Sequence, residues 1–180
     1  MRLLDTKALD DSELSLFKKL NTPEKIQDFL ETIPVNFEEK GETLYSPRKV
    51  LKENKAHCFE GALIASACLW FRGERPIILN LQSKKGDEDH VVAIFKKYGC
   101  LGAIGKTNHA VLRYREPVYK NIKELAMSYF HEYFLDSGEK TLRMYSDPID
   151  LSNKKFRGWV TSEDDLWSID DAFLKVGTIR

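Results

Sequence analysis

The sequence predicts an α+β domain in which a central buried helix packs on a mainly antiparallel sheet. Residues 58–72 are apolar on nearly every side and rich in alanine, as expected for a helix of about 22 Å that is buried all round. Strand-like runs follow at 77–81 and 90–95, and Tyr98-Gly99 is a turn signal that lets 100–106 return as an antiparallel partner. Helices first, then one buried helix, strands and further helices indicate the α+β class.

Start signals define the flanking helices. Thr22-Pro23-Glu24 combines a capping hydroxyl, a proline for the first turn and an acid at the positive helix end. Ser46-Pro47-Arg48 repeats the cap and the proline, which predicts a short third helix. The N-terminal helices are therefore expected within 9–33, before the nucleophile region described below.

A helical extension is expected at the C-terminal end, within about 121–175. Its clearest element is an amphipathic helix that opens at Asn121 and carries an apolar face as far as Phe134. Two more short strands are predicted, one at 110–114 and an edge strand at 141–145.

Length and charge limit the classes of function. The chain has 180 residues, enough for one domain spanning 1–180. Lys and Arg total 28, as do Asp and Glu, so the net charge of zero argues against a nucleic-acid partner. The apolar run 61–71 is shorter than the ~20 residues of a membrane span, which argues against a membrane partner. The opening residues turn polar too soon for a signal peptide, and three cysteines then indicate reduced thiols in a cytoplasmic protein.

Cys58 and His90 are the candidate chemical groups. Cys58 begins the buried helix, where unpaired N–H groups and the helix dipole favour a thiolate. His90 begins the first strong strand. The intervening chain is long enough to run up the helix, turn and return, so thiolate and imidazole are expected within hydrogen-bond reach.

These residues carry a resemblance to a known family. The stretch from Ser46 through Cys58-Phe59-Glu60-Gly61-Ala62 resembles the nucleophile region of the transglutaminase-like superfamily, and Asp89-His90-Val91-Val92-Ala93 resembles its histidine hairpin. The resemblance covers about residues 44–110. It implies a papain-like fold, no cofactor or metal, and a Cys–His–Asp/Asn triad that performs acyl transfer on peptide or side-chain amides.

The third member of the triad departs from that pattern, because no Asp lies between Asp89 and Asp136. Hairpin register decides which residue faces His90. One three-residue loop sets Lys106 opposite, another sets Asn108 opposite, and a two-residue loop sets Thr107 opposite. Asn108 is the predicted third catalytic residue, because its amide oxygen would accept a hydrogen bond from the ring N–H of His90 and fix the tautomer. Lys106 in that position would indicate an inactive enzyme.

Other candidates are weaker. His57 is a rival base, although adjacent helix residues point about 100° apart. The N–H of Cys58 is a natural oxyanion donor, with Asn54 or Lys52 as possible side-chain donors. The sequence lacks the short Cys-x-x-Cys or His-x-x-x-His pair that would seed a zinc site.

The sequence thus predicts a transglutaminase-like cysteine enzyme that uses Cys58, His90 and Asn108, with hydrolysis preferred because water is always present to resolve the acyl-enzyme. The alternative is an inactive member of the same fold that binds a peptide or protein. Substrate identity and oligomeric state stay open.

Overall fold

The computed structural model describes residues 4–39, 41–175 and 178–179 and has six α-helices in these ranges. The helices are α1 Asp11–Lys19, α2 Pro23–Thr32, α3 Pro47–Glu53, α4 Cys58–Phe71, α5 Ile122–Met127 and α6 Trp167–Lys175. The strands are β1 Ile77–Ser83, β2 His90–Lys97, β3 Cys100–Gly105, β4 Tyr114–Tyr119, β5 Leu142–Ser146, β6 Ile149–Asp150 and β7 Thr178–Ile179. The predicted α+β class is confirmed.

One antiparallel sheet joins the strands in the order β4-β3-β2-β1-β5-β7, and β6 pairs with β1 beside this path. Alternate residues of β2 face opposite sides. Val91, Ala93 and Phe95 join the core around α4, while Val92 and Ile94 join a second core with α5 residues. The sheet therefore separates two apolar layers.

Capping explains where the early helices begin. The Thr22 hydroxyl accepts from Lys25 N at 3.2 Å, and the Ser46 hydroxyl accepts from Lys49 N at 3.1 Å. Both helices have proline in the first turn, as predicted. The central helix α4 is buried on almost every side, which also agrees with the sequence.

Two predictions for the chain after β3 were wrong. The helix from Asn121 ends at Met127, and beyond it the N–H groups of Tyr129 and Phe130 bond to carbonyls three residues earlier instead of four. Residues 110–112 form a 3-10 helix, and the strand starts only at Tyr114.

The C-terminal extension is part of the sheet and is not purely helical. Strand β5 lies between β1 and β7, so it is not the predicted edge strand. Leu81 of β1 pairs with Tyr145 of β5. The apolar periodicity of 122–134 still marks buried side chains, because Tyr129 and Tyr133 pack in the second core after the helix has ended.

We predict that Gly61→Ala destabilises the fold. A Cβ at Gly61 would lie 2.3 Å from Lys106 Cβ on β3's extension, closer than any unstrained contact. The substitution usually stabilises a helix by up to about 1 kcal/mol. Here overpacking should instead lower the free energy of unfolding by about 1–3 kcal/mol, measured by chemical denaturation.

The control is the same substitution in a Lys106→Gly background, where the obstructing Cβ is absent. There Gly61→Ala should be neutral or stabilising. Equal destabilisation in both backgrounds would contradict the packing argument.

Candidate active site

A cleft of about 810 Å³ opens where helix α4 begins. Its wall combines the start of α4, the loop before β2 and the segment that follows β3. The residues that bear on chemistry are His57, Cys58, His90, Leu112 and Tyr133. The cleft therefore brings together the cysteine and the histidine that the sequence predicts.

Cys58 is the first residue of α4 and is partly exposed at the cleft. Its N–H precedes the first intrahelical hydrogen bonds and is available to a ligand. Burial raises the pKa of the Cys58 thiol. The side chains of His57 and His90 lower it by more than burial raises it, so the pKa falls to about 6. Cys58 is therefore a thiolate at neutral pH, as a cysteine nucleophile requires.

His90 is held rigidly at the start of β2 and is 4% exposed. Its Nε2 donates to Leu112 O at 3.1 Å, and the ring meets Tyr129 edge-on with 6.3 Å between centroids. Gly105 leaves room for this, because a Cβ there would lie 3.0 Å from His90 Nε2. The Leu112 carbonyl thus fixes the orientation of the His90 ring in the cleft.

The expected pairing of His90 with Asn108 is not formed. Lys97 pairs with Cys100, so the β2–β3 loop has two residues, Tyr98 and Gly99, both with positive φ. Two-residue hairpins favour such turns because their twist matches that of the strands. The three-residue loop that would set Asn108 opposite His90 does not occur. Asn108 is exposed in the cleft wall.

Thr107 and Lys106, the two alternatives for the third catalytic residue, each make a hydrogen bond to a group other than His90. The observed register, extended beyond β3, sets Thr107 opposite His90, but the Thr107 hydroxyl accepts from His109 N at 3.2 Å. Lys106 is buried and donates from Nζ to Ile33 O at 2.5 Å. A backbone carbonyl, that of Leu112, takes the place of the expected side chain. Sequence reasoning missed it because carbonyl position depends on the 3-10 turn and on no residue type.

His57 is a second functional group, and the sequence analysis treated it only as a weaker candidate for the base. Its Nε2 lies 2.8 Å from Thr43 O, 3.5 Å from Glu60 Oε1 and 3.6 Å from Glu38 Oε1. Burial lowers the pKa of His57, but the hydrogen bond to Cys58, the charges of Cys58 and Glu60 and the Thr43 carbonyl raise it to about 9. The thiolate of Cys58 and the imidazolium of His57 therefore both predominate between about pH 6 and about 9.

Glu60 fixes the position of His57 from one turn along α4. Glu60 is fully buried, and its Oε2 accepts from the backbone N–H of His57 at 2.9 Å. The signal in the sequence is the spacing His57-x-x-Glu60, in which the third helical residue reaches back to the cap as in a capping box. Three residues of one helix turn thus carry a carboxylate, an imidazole and a thiolate.

Several other predicted site residues lie elsewhere. Asn54 caps the end of α3 and Lys52 is exposed beside Glu163, and neither lines the cleft. They are therefore not the oxyanion donors that the sequence suggested. Among the residues that the structure describes, no group of three His, Cys, Asp or Glu side chains is arranged to hold a metal ion.

The outer wall of the cleft is acidic and partly aromatic. Asp87, Glu88 and Glu132 line it, together with Phe37 and Phe134. Phe37 is 70% exposed and Phe134 is 48% exposed. Exposed aromatic side chains beside a nucleophile offer apolar surface to a bound chain.

Models of known protein families and the curated proteins were compared with the chain, and none matched. In the described ranges, no helix has both the length and the apolar character needed to cross a membrane.

We predict that Cys58 alkylates before the other two cysteines. At pH 7 iodoacetamide should modify Cys58 selectively, because its pKa is about 6. Cys68 is fully buried, and burial raises its pKa. Cys100 is partly exposed but lies away from the cleft, so it is the matched accessibility control. Mass-spectrometric mapping that finds Cys58 as slow as Cys100 would contradict the assignment.

Proposed function

We propose that the protein is a transglutaminase-like cysteine enzyme that hydrolyses peptide or side-chain amides through a Cys58 acyl-enzyme. The observation that carries this proposal is the placement of Cys58 at a helix start, in the same cleft as the buried ring of His90. An open cleft leads to that sulfur, and exposed aromatic residues line its wall.

The reaction follows from these groups. The Cys58 thiolate attacks the amide carbonyl, and the carbonyl electrons move to oxygen to form a tetrahedral intermediate. The intermediate collapses by breaking the carbon–nitrogen bond, and His90, which enters the reaction as an imidazolium in this scheme, gives a proton to the leaving nitrogen and becomes neutral. Water, deprotonated by His90, then attacks the thioester and releases the carboxylic acid and the thiolate.

The Cys58 N–H is the oxyanion donor in this scheme. It stands at the positive end of α4 and has no carbonyl four residues earlier within the helix. A fixed donor of this kind acts where charge develops in the transition state.

A binding module of the same fold is the second candidate. The neutral Leu112 carbonyl beside His90 favours this alternative, because it stabilises an imidazolium less than a carboxylate would. In that case the aromatic and acidic walls of the cleft would hold a peptide without cleaving it.

We predict that Cys58→Ser and His90→Ala each lower kcat/KM by roughly a thousandfold or more. Activity is measured on a panel of peptide amides and glutamine-containing peptides, by release of amine or ammonia. Asn108→Ala is the matched cleft-wall control and should change kcat/KM little, because the Leu112 carbonyl holds His90.

Two outcomes would overturn parts of this account. A rapidly alkylated Cys58 with no turnover on any substrate would favour the binding module. A loss with Asn108→Ala as large as that with His90→Ala would return Asn108 to the triad.

A further inference from the structure

His57 and His90 line the same cleft as Cys58, and both side chains lower the pKa of its thiol. The sulfur itself lies 3.7 Å from the carbonyl oxygen of Asp89. The Nε2 atoms of the two rings meet different acceptors. The Nε2 of His57 faces the Thr43 carbonyl and the carboxylates of Glu60 and Glu38. The Nε2 of His90 meets a neutral carbonyl, that of Leu112. Carboxylates stabilise an imidazolium, whereas a neutral carbonyl orients a ring with less preference for its charged form.

We propose that His57 stays an imidazolium throughout the reaction and stabilises the thiolate of Cys58. His90 is then the group that transfers protons to the leaving nitrogen and from water. The assignment of His90 rests on the proposed function; the assignment of His57 concerns the thiol alone and is testable without a substrate.

The groups around the Nε2 of His57 are all hydrogen-bond acceptors, so this nitrogen carries a proton and donates it in a hydrogen bond. Three oxygen atoms from three parts of the chain lie within 3.6 Å of it, and none of them can donate when the carboxyls are ionised. The two carboxylates beside the Nε2–H favour the charged form of the ring, in which both nitrogens carry protons, and this ring belongs to the residue directly before Cys58. A more distant carboxylate, that of Asp170 in α6, also interacts with the charge of His57. Burial raises the pKa of Asp170, and the positive charge of His57 lowers it.

The helix cap does not require the imidazole ring. The bond that closes the first turn runs from the backbone N–H of His57 to Glu60 Oε2, and any non-proline residue would supply it. The ring, with the buried carboxylate of Glu60 and the partly exposed carboxylate of Glu38 beside it, therefore acts through its charge on the neighbouring sulfur.

This division of roles matters when the thioester breaks. The electrons of the carbon–sulfur bond return to sulfur while His90 is handling the proton of the attacking water. His57 receives the new thiolate by hydrogen bond and charge, and it neither gains nor loses a proton. Cys58 is thus a good leaving group whatever the state of His90.

The test is the pH dependence of Cys58 alkylation by iodoacetamide, mapped by mass spectrometry. In the wild-type protein the midpoint should lie at about 6. In His57→Gln it should rise by at least one unit toward the value of about 8.5 for an ordinary cysteine, which slows alkylation at pH 6 about tenfold. In His90→Gln the midpoint should move less, while turnover is lost.

His109→Gln is the matched control, because His109 lines the same cleft but is exposed. It should leave the midpoint unchanged. If His57→Gln does not fold, Glu38→Gln decides: it keeps the acceptor for Thr43 N, removes one carboxylate beside Nε2 and should raise the midpoint by a few tenths of a unit.

An unchanged midpoint in His57→Gln, or in Glu38→Gln where that variant has to decide, would overturn the proposal for His57. A large rise of the alkylation midpoint in His90→Gln alone would show that His90, and not His57, stabilises the thiolate. Absence of turnover in every variant would instead contradict the proposed function and leave the role of His57 intact.

Discussion

The buried carboxylate of Glu60 is the interaction on which the candidate site depends. A carboxylate without water needs donors at its lone pairs. Glu60 receives them from the N–H groups of His57 at 2.9 Å and Tyr45 at 3.1 Å, from the Thr43 hydroxyl at 2.9 Å and from Asn36 Nδ2 at 3.2 Å. These bonds tie the loop before α3 to the first turn of α4. They also hold the His57 ring beside Cys58.

The electrostatics of Cys58 follow from this arrangement. A carboxylate at the third position of a helix is favoured by the dipole, and a thiolate at the first position is favoured by the same field. An imidazolium between them keeps two negative groups in one helix turn from repelling each other. The Nε2 of His90 donates to a neutral carbonyl, that of Leu112, which orients the ring that moves the proton in the proposed reaction.

How far the sequence predicts the molecule depends on whether a local signal exists. The caps at Thr22 and Ser46 and the all-round apolar segment of α4 are local, and the helices begin where they indicate. The two-residue turn at Tyr98-Gly99 is also local, and it excludes the register that favoured Asn108.

The failures concern contacts set by distant parts of the chain. The acceptor for His90 is the backbone of Leu112, and side-chain identity carries no information about it. The apolar periodicity after Asn121 predicts burial correctly, but the backbone changes to three-residue turns after Met127 while Tyr129 and Tyr133 stay in the second core. Strand β5 enters the sheet beside β1 through pairing over more than fifty residues, which no short pattern records.

The central claim is that Glu60 and its partners keep His57 doubly protonated next to Cys58. Long-range nitrogen–proton NMR spectra of the imidazole rings, recorded from pH 5 to pH 10 on nitrogen-15-labelled protein, measure this directly. The account predicts that both His57 nitrogens have imidazolium shifts at pH 7 and change with a midpoint near 9. A His57 ring with a single protonated nitrogen at pH 7 would contradict it.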